Sequence, residues 1–155
     1  MTPNWDESEA GGFAGELGQL IYTTRLLGQD EGYGVYAGGS ASVKTVVKNL
    51  SGEDEVILFV DSGLQLPAEI DARGFTSLRC KSLAGLVKLE NLAADQLDNE
   101  LACSRTLASA AAPPVDALLH AALPHKFVLF TRPDALLAMA STTSGLDRLN
   151  DTYAN

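Results

Sequence analysis

Cysteine is scarce. Cys80 and Cys103 stand far apart and outside any disulfide-rich pattern, so both are expected as buried or half-buried thiols and no stapled scaffold is indicated. A metal site built on the two would need histidine or carboxylate partners, and the sequence places none beside them. Basic residues are also few: 11 Lys and Arg face 20 Asp and Glu, a formal net charge of -9. That balance argues against nucleic acid or an acidic membrane surface as principal partner, because neither attracts an anionic protein. A small anion stays compatible with it, since a local cluster of amides and one cation can hold a phosphate. No apolar run approaches the ~20 residues that cross a bilayer. Met1 to Asp6 lacks the basic segment and apolar stretch of a signal peptide, and no internal repeat is evident. The expected setting is soluble and cytoplasmic.

What is present is an ordinary globular composition. The chain has 155 residues, 46% hydrophobic and 20% charged, enough for one compact domain with its own core. Residues 1–15 read as a loose N-terminus, 16–150 as the domain and 151–155 as a tail. Leu17, Leu20, Ile21, Thr24 and Leu27 have helical spacing, with Gly28 where a C-terminal cap falls. Tyr33 to Ala37 predicts a short strand that runs into Gly38-Gly39-Ser40. Ser42 to Lys48 alternates like a half-buried strand, Asn49 to Asp54 is turn chemistry, and Val56 to Val60 predicts a buried strand closed by Asp61-Ser62-Gly63. Short helices are expected over Leu83 to Leu89 and Leu97 to Leu107. Pro113-Pro114 is expected to open a third, with Val115, Leu118, Leu119 and Ala122 on its apolar side. Phe127 to Phe130 is another buried strand, and Pro133 opens a helix through Ala140. Strands, then helices, then a late strand predict an α/β layered domain with a mostly antiparallel central sheet flanked by helices.

Five phrases then fall in a recognisable order. Leu17-Gly-Gln-Leu-Ile-Tyr-Thr-Thr-Arg-Leu-Leu-Gly28 followed by Gly38-Gly39-Ser40-Ala41-Ser42-Val43-Lys44 resembles a helix plus a G-G-N-x-S-V-K turn. Leu58-Phe59-Val60-Asp61-Ser62-Gly63-Leu64-Gln65-Leu66 is similar to L-Y-V-K-G-S-G-W-D-L, one residue shorter. Pro114 to His125 resembles S-x-E-x-L-L-H-A-x-L-P-H, and Phe127 to Ala135 parallels F-V-D-H-T-H-P-D-A. Together, from about Leu17 to Met139, they resemble class II aldolase/adducin domains, above all the aldolase half of bifunctional rhamnulose-phosphate aldolase/alcohol dehydrogenase proteins. The resemblance implies a sheet core sandwiched by helices and assembly as a homo-oligomer, usually a tetramer.

The chemistry that the resemblance implies is retro-aldol cleavage with zinc as electron sink for the enediolate. The H-T-H phrase supplies two of the zinc ligands, since residues two apart in an extended segment share a face. Here those positions are Phe130 and Arg132. A phenyl ring cannot ligate and a permanent guanidinium repels the metal. A third histidine falls past the last residue of the sequence, so the domain reads as short at that end. The family asparagine is Ser40, the turn carboxylate is Gln65, which cannot shuttle protons, and the helix glutamate is Asp116. His120 and His125 match family positions that are not the zinc ligands.

The expected outcome is a domain without zinc or other cofactor that serves as a binding or assembly module. Gly38, Gly39, Ser40, Ser42, Ser62 and Gly63 keep the outline of a phosphate cradle, with Lys44 or Arg132 adding charge. Such a Gly-Gly-Ser phrase is also an ordinary turn. The enzyme alternative is a zinc-dependent aldolase or lyase acting on a small phosphorylated sugar. Its metal would be relocated to Asp116, His120 and His125 or completed by a partner chain, and Asp116 and His120 would be its acting residues because they share a helix face. The plainer reading makes Asp116 an exposed helix-start carboxylate and the histidines structural. An adducin-like structural role is the third reading. A missing last layer would leave an apolar face, which favours self-association.

Overall fold

The computed structural model describes residues 5–30 and 39–153; the predicted strand Tyr33 to Ala37 and Gly38 lie outside them. The expected antiparallel sheet is present, and all its pairings are antiparallel. Strand β1 (Ser40–Lys48) turns through Asn49 to Glu53 into β2 (Asp54–Asp61). The turn is closed by the Asn49 side chain, which accepts from the N–H groups of Ser51 and Glu53 at 2.9 and 3.0 Å, and by Gly52 at φ +81°. β3 (Phe75–Arg79) pairs with β2, and β4 (Phe127–Phe130) pairs with β1, giving the order β3-β2-β1-β4.

The helices divide between the two faces because successive strand residues point opposite ways. On one face Ala41, Val43 and Phe75 pack with Leu20 and Ile21 of α2 (Gly15–Gly28), preceded by the single turn α1 (Glu7–Ala10). On the other, Leu58, Val60 and Leu78 pack with Leu83 of α3 (Cys80–Leu86), Leu101 of α4 (Ala94–Cys103) and Ala117 of α5 (Ala117–Ala122). Two further helices, α6 (Asp134–Ala140) and α7 (Gly145–Tyr153), close the described chain.

Several expectations need correction. The N-terminal stretch is docked from Trp5 onward: Asp6 caps α1, its N–H reaches the Tyr22 hydroxyl at 3.1 Å, and the Trp5 and Tyr22 rings meet edge-on. Gly28 is no left-handed cap, since α2 ends on Gln29 at φ -79°. It is small because the 3-10 turn Pro67–Glu69 crosses it, and a Cβ there would lie 2.3 Å from Ala68 N. Pro113 and Pro114 precede α5 instead of opening it; Ala117 N–H closes a turn on the Pro114 carbonyl at 3.1 Å. The predicted helices near residues 83 and 97 each begin three residues earlier, at Cys80 and Ala94. β3 was not foreseen. Its Phe-Thr-Ser-Leu-Arg sequence carries two hydroxyl residues, yet Thr76 and Ser77 are buried. Its outer edge is covered by Arg79 N–H to Ser104 O and Thr106 N–H to Ser77 O. α7 runs across the expected boundary between domain and tail.

Candidate functional site at the strand ends

The alternation of β1 sends Ser40, Ser42 and Lys44 toward α5, and α5 answers with polar groups. Ser40 Oγ lies 2.7 Å from Asp116 Oδ2 and 2.6 Å from His120 Nε2, and Ser42 Oγ lies 2.7 Å from His120 Nδ1. His120 and Ser42 are fully buried. One proton arrangement satisfies all three contacts with neutral histidine and ionised aspartate. Ser40 O–H donates to Asp116, His120 Nε2–H donates to Ser40, and Ser42 O–H donates to Nδ1. Burial pushes the His120 pKa below its usual value; Asp116 pulls it upward and Lys44 downward. Lys44 Nζ itself donates to the carbonyl oxygens of Leu123 and His125, holding the end of α5 against β1. Asp116 is therefore not the exposed helix-start carboxylate of the plainer sequence reading. Its Oδ1 is buried and has no hydrogen-bond partner among the described residues.

Beside this chain of polar groups lies a cavity of about 30 Å³ between the last turn of α2 and the ends of β1, β2 and β4. Its walls are largely apolar, from Leu27, Ala41, Pro67, Leu129 and Phe130, and its polar boundary includes Ser40 and Asp61. Asp61 is only 4% exposed. Its Oδ1 accepts from Gly63 N–H at 2.8 Å. Burial raises the Asp61 pKa, the Gly63 hydrogen bond lowers it, and the negative charge of Asp116 adds a smaller upward push. Sequence reasoning assigned Asp61 no function. The available signal was a carboxylate closing an apolar strand at a position where the similar family phrase carries lysine.

The structure brings some of the predicted site residues together and separates others. Gly39 sits against β4, where a Cβ would approach Phe130 O to 3.0 Å. Ser40 and Ser42 reach inward to Asp116 and His120. Ser62 commits both its N–H (2.9 Å) and its hydroxyl (2.8 Å) to the Gly74 carbonyl, and Gly63, at φ +72°, commits its N–H to Asp61. Gln65 is engaged with Asp71 through two hydrogen bonds of 2.8 and 3.1 Å. His125 is exposed. Arg132 is exposed too, with its guanidinium 5.5 Å from the Phe130 ring centroid.

These residues do not fit zinc as the sequence resemblance would have it bound. Phe130 and Arg132 stack on one another at the two ligand positions, and both ring nitrogens of His120 are already hydrogen bonded. Among the described residues no group of three or more His, Cys, Asp or Glu is placed to share a metal.

An antiparallel sheet between helical layers, with its polar site at the strand ends, defines the class of protein. The solved N-terminal class II aldolase domain of a conserved protein from Thermoplasma acidophilum superposes with a TM-score of 0.83. It is 30% identical, over 97% of this chain and 69% of that one. The chain belongs to the class II aldolase family. A protein of Bacillus subtilis (strain 168) described as the uncharacterized oxidoreductase YuxG is 26% identical over 151 residues. That match covers 97% of this chain, which spans 22% of the length of that relative. No family model matches the sequence.

Proposed function

We propose that this domain keeps the class II aldolase fold without zinc-dependent aldol cleavage, and acts as a binding or assembly module with the strand-end cavity as its ligand site. The observation that carries the reading is the pair Phe130 and Arg132. The positions that would present two imidazoles to a metal present instead a phenyl ring and a cation against it. Without a Lewis acid the enediolate beside a substrate carbonyl has no electron sink. A small anion at Gly39, Ser40, Ser42, Ser62 and Gly63 draws less support. The serine hydroxyls and the Ser62 and Gly63 amides are committed within the chain, leaving exposed Arg132 as the available cation of that set. Elemental analysis and calorimetric titration of tag-free protein test the proposal. No zinc bound at tens of micromolar is expected, and stoichiometric zinc overturns it.

One observation favours the enzyme alternative, a metal-dependent aldolase or lyase acting on a small phosphorylated sugar. Asp116 and His120 do converge on Ser40, and Asp116 Oδ1, which has no hydrogen-bond partner among the described residues, is an oxygen that a metal would take. It is the weaker reading, because a metal on His120 would have to displace a serine hydroxyl from the ring. Assembly into a homo-oligomer accords with exposed apolar side chains just before α5, on α5 and on β4, namely Val115, Leu119, Phe127 and Leu129. Among the described residues no helix is long and apolar enough to cross a membrane.

A further inference from the structure

The small-ligand reading of the strand-end cavity extends to a class of ligand, and the step rests on that reading. Of the hydroxyls on the cavity wall, Thr24 gives its proton to Leu20 O and Ser40 gives its own to Asp116, while Thr131 carries one that can donate or accept. Asp61, 4% exposed and on the cavity wall, receives one N–H on Oδ1, and among the described residues no donor meets its Oδ2. Across the sheet, Asp116 Oδ1 is buried and has no hydrogen-bond partner among the described residues. Ser40 directs its one proton to Asp116, leaving none to offer the cavity. A carboxylate in an apolar niche is costly unless a charge or hydrogen bonds offset its lost hydration. An incoming anion would meet like charge from Asp61 and Asp116, and a neutral alcohol would supply one donor and no charge. An ammonium supplies three donors and the opposite charge.

The remaining walls fix the rest of the ligand. Leu27, Pro67, Leu129 and Phe130 offer alkyl and aromatic surface. The 30 Å³ of room corresponds to roughly two water-sized spheres, enough for a head group and its first methylenes. We propose that the cavity binds a small primary ammonium, with Asp61 as counter-ion and Leu27, Leu129 and Phe130 around the adjoining carbons.

The test uses the native chain, isotope-labelled, titrated at neutral pH with n-propylammonium, propionate, n-propanol and inorganic phosphate in turn. Saturable shifts of the Ser40, Ala41, Asp61 and Gly63 amides are expected with propylammonium, at least about tenfold weaker binding with propanol, and none with the two anions. Asp61→Asn, checked for folding by its amide spectrum, should lose about tenfold or more for the ammonium. Should that variant unfold, Leu27→Trp fills the cavity from the helix side and should abolish binding with Asp61 intact. Propionate or phosphate shifting the same amides as tightly overturns the ammonium assignment while leaving a small-ligand site standing. The assignment is equally overturned by unsaturable ammonium shifts, or by unchanged affinity in a folded Asp61→Asn. Zinc-dependent sugar-phosphate cleavage would instead overturn the parent reading.

Discussion

Replacing His120 by alanine tests the polar chain between β1 and α5 most directly. The imidazole is fully buried and bridges two serines at 2.6 and 2.7 Å. Removing it leaves Ser42, also fully buried, with no acceptor for its proton, at about 1–3 kcal/mol for an unmatched buried hydroxyl. The vacated ring volume adds about 2 kcal/mol where the surroundings relax only in part. Ser40 keeps Asp116, so the second serine adds little. The sum, about 3–5 kcal/mol, is a large share of a typical domain's stability and should appear as a lower urea midpoint at unchanged slope. A water entering the vacated space would lower the figure toward its smaller end.

The same residue predicts a pH dependence. Burial holds the folded His120 pKa below the 6.5 usual for histidine, so the unfolded chain takes up a proton first as pH falls. The histidine's contribution to stability is fully present above pH 6.5 and is lost as pH falls from there to the folded pKa. The parent should therefore lose stability across that window, and His120→Ala should lack this component of the slope. Pairing the variant with Ser42→Ala completes the argument. Because Ser42→Ala removes the hydroxyl that His120→Ala strands, the double variant should cost less than the two singles added. Strict additivity, or a loss below about 1 kcal/mol for His120→Ala, would refute the proton assignment and reduce the cluster to ordinary packing.

Other changes probe the rest of the molecule. Gly28→Ala sets a methyl 2.3 Å from Ala68 N and 2.6 Å from Pro67 C; backbone cannot step aside as a side chain can, so about 2 kcal/mol should be lost. In calorimetry that corresponds to a fall in Tm of roughly 4–8 °C for a chain of this size, and an unchanged Tm would mean that the 3-10 turn does not press on α2. Self-association is read by size-exclusion chromatography with light scattering. A mass above the 16.3 kDa chain at micromolar concentration is expected, and a monomer sinks the assembly half of the proposal.

Much of this fold is legible in the sequence, because strong periodicity and burial agree there. The β1 and β2 hairpin and α2 appear where alternation, helical spacing and the Asn49 to Asp54 turn put them. Strand β4 appears at its expected place but not as the buried strand expected, since Val128 is buried while Phe127 and Leu129 are exposed. β3 escaped because its pattern is set by tertiary context. Thr76 and Ser77 are buried with partners, Ala111 O and Thr106 Oγ1, that come from a loop far along the chain. The pairing of Asp116 with His120 was visible as helical spacing, yet its purpose was not. Ser40 and Ser42 looked like outward donors for an anion, and only the register of β1 against α5 shows that they face inward. Strand parity across a turn that admits one residue more or less is what a sequence specifies weakly, and a one-residue slip exchanges the two faces.

That parity decides the electrostatics of the site. With Ser40 and Ser42 turned to α5, the hydroxyls neutralise nothing and serve to hold a neutral imidazole beside an ionised carboxylate. Lys44, two residues further along the same face, is drawn to the carbonyls at the end of α5, and Arg132 stands exposed over Phe130. Asp61, on the opposite face of the sheet, then has a neighbouring carboxylate and apolar walls but, among the described residues, no ion pair. Asp61 and Asp116 leave the strand ends anionic inside a chain that is anionic overall. An anion entering there would be opposed by local and global fields alike, whereas a cation would relieve the desolvation that lifts the Asp61 pKa. Because binding and deprotonation then favour one another, ligand uptake by the ionised carboxylate must release protons at any pH where part of the free Asp61 is protonated.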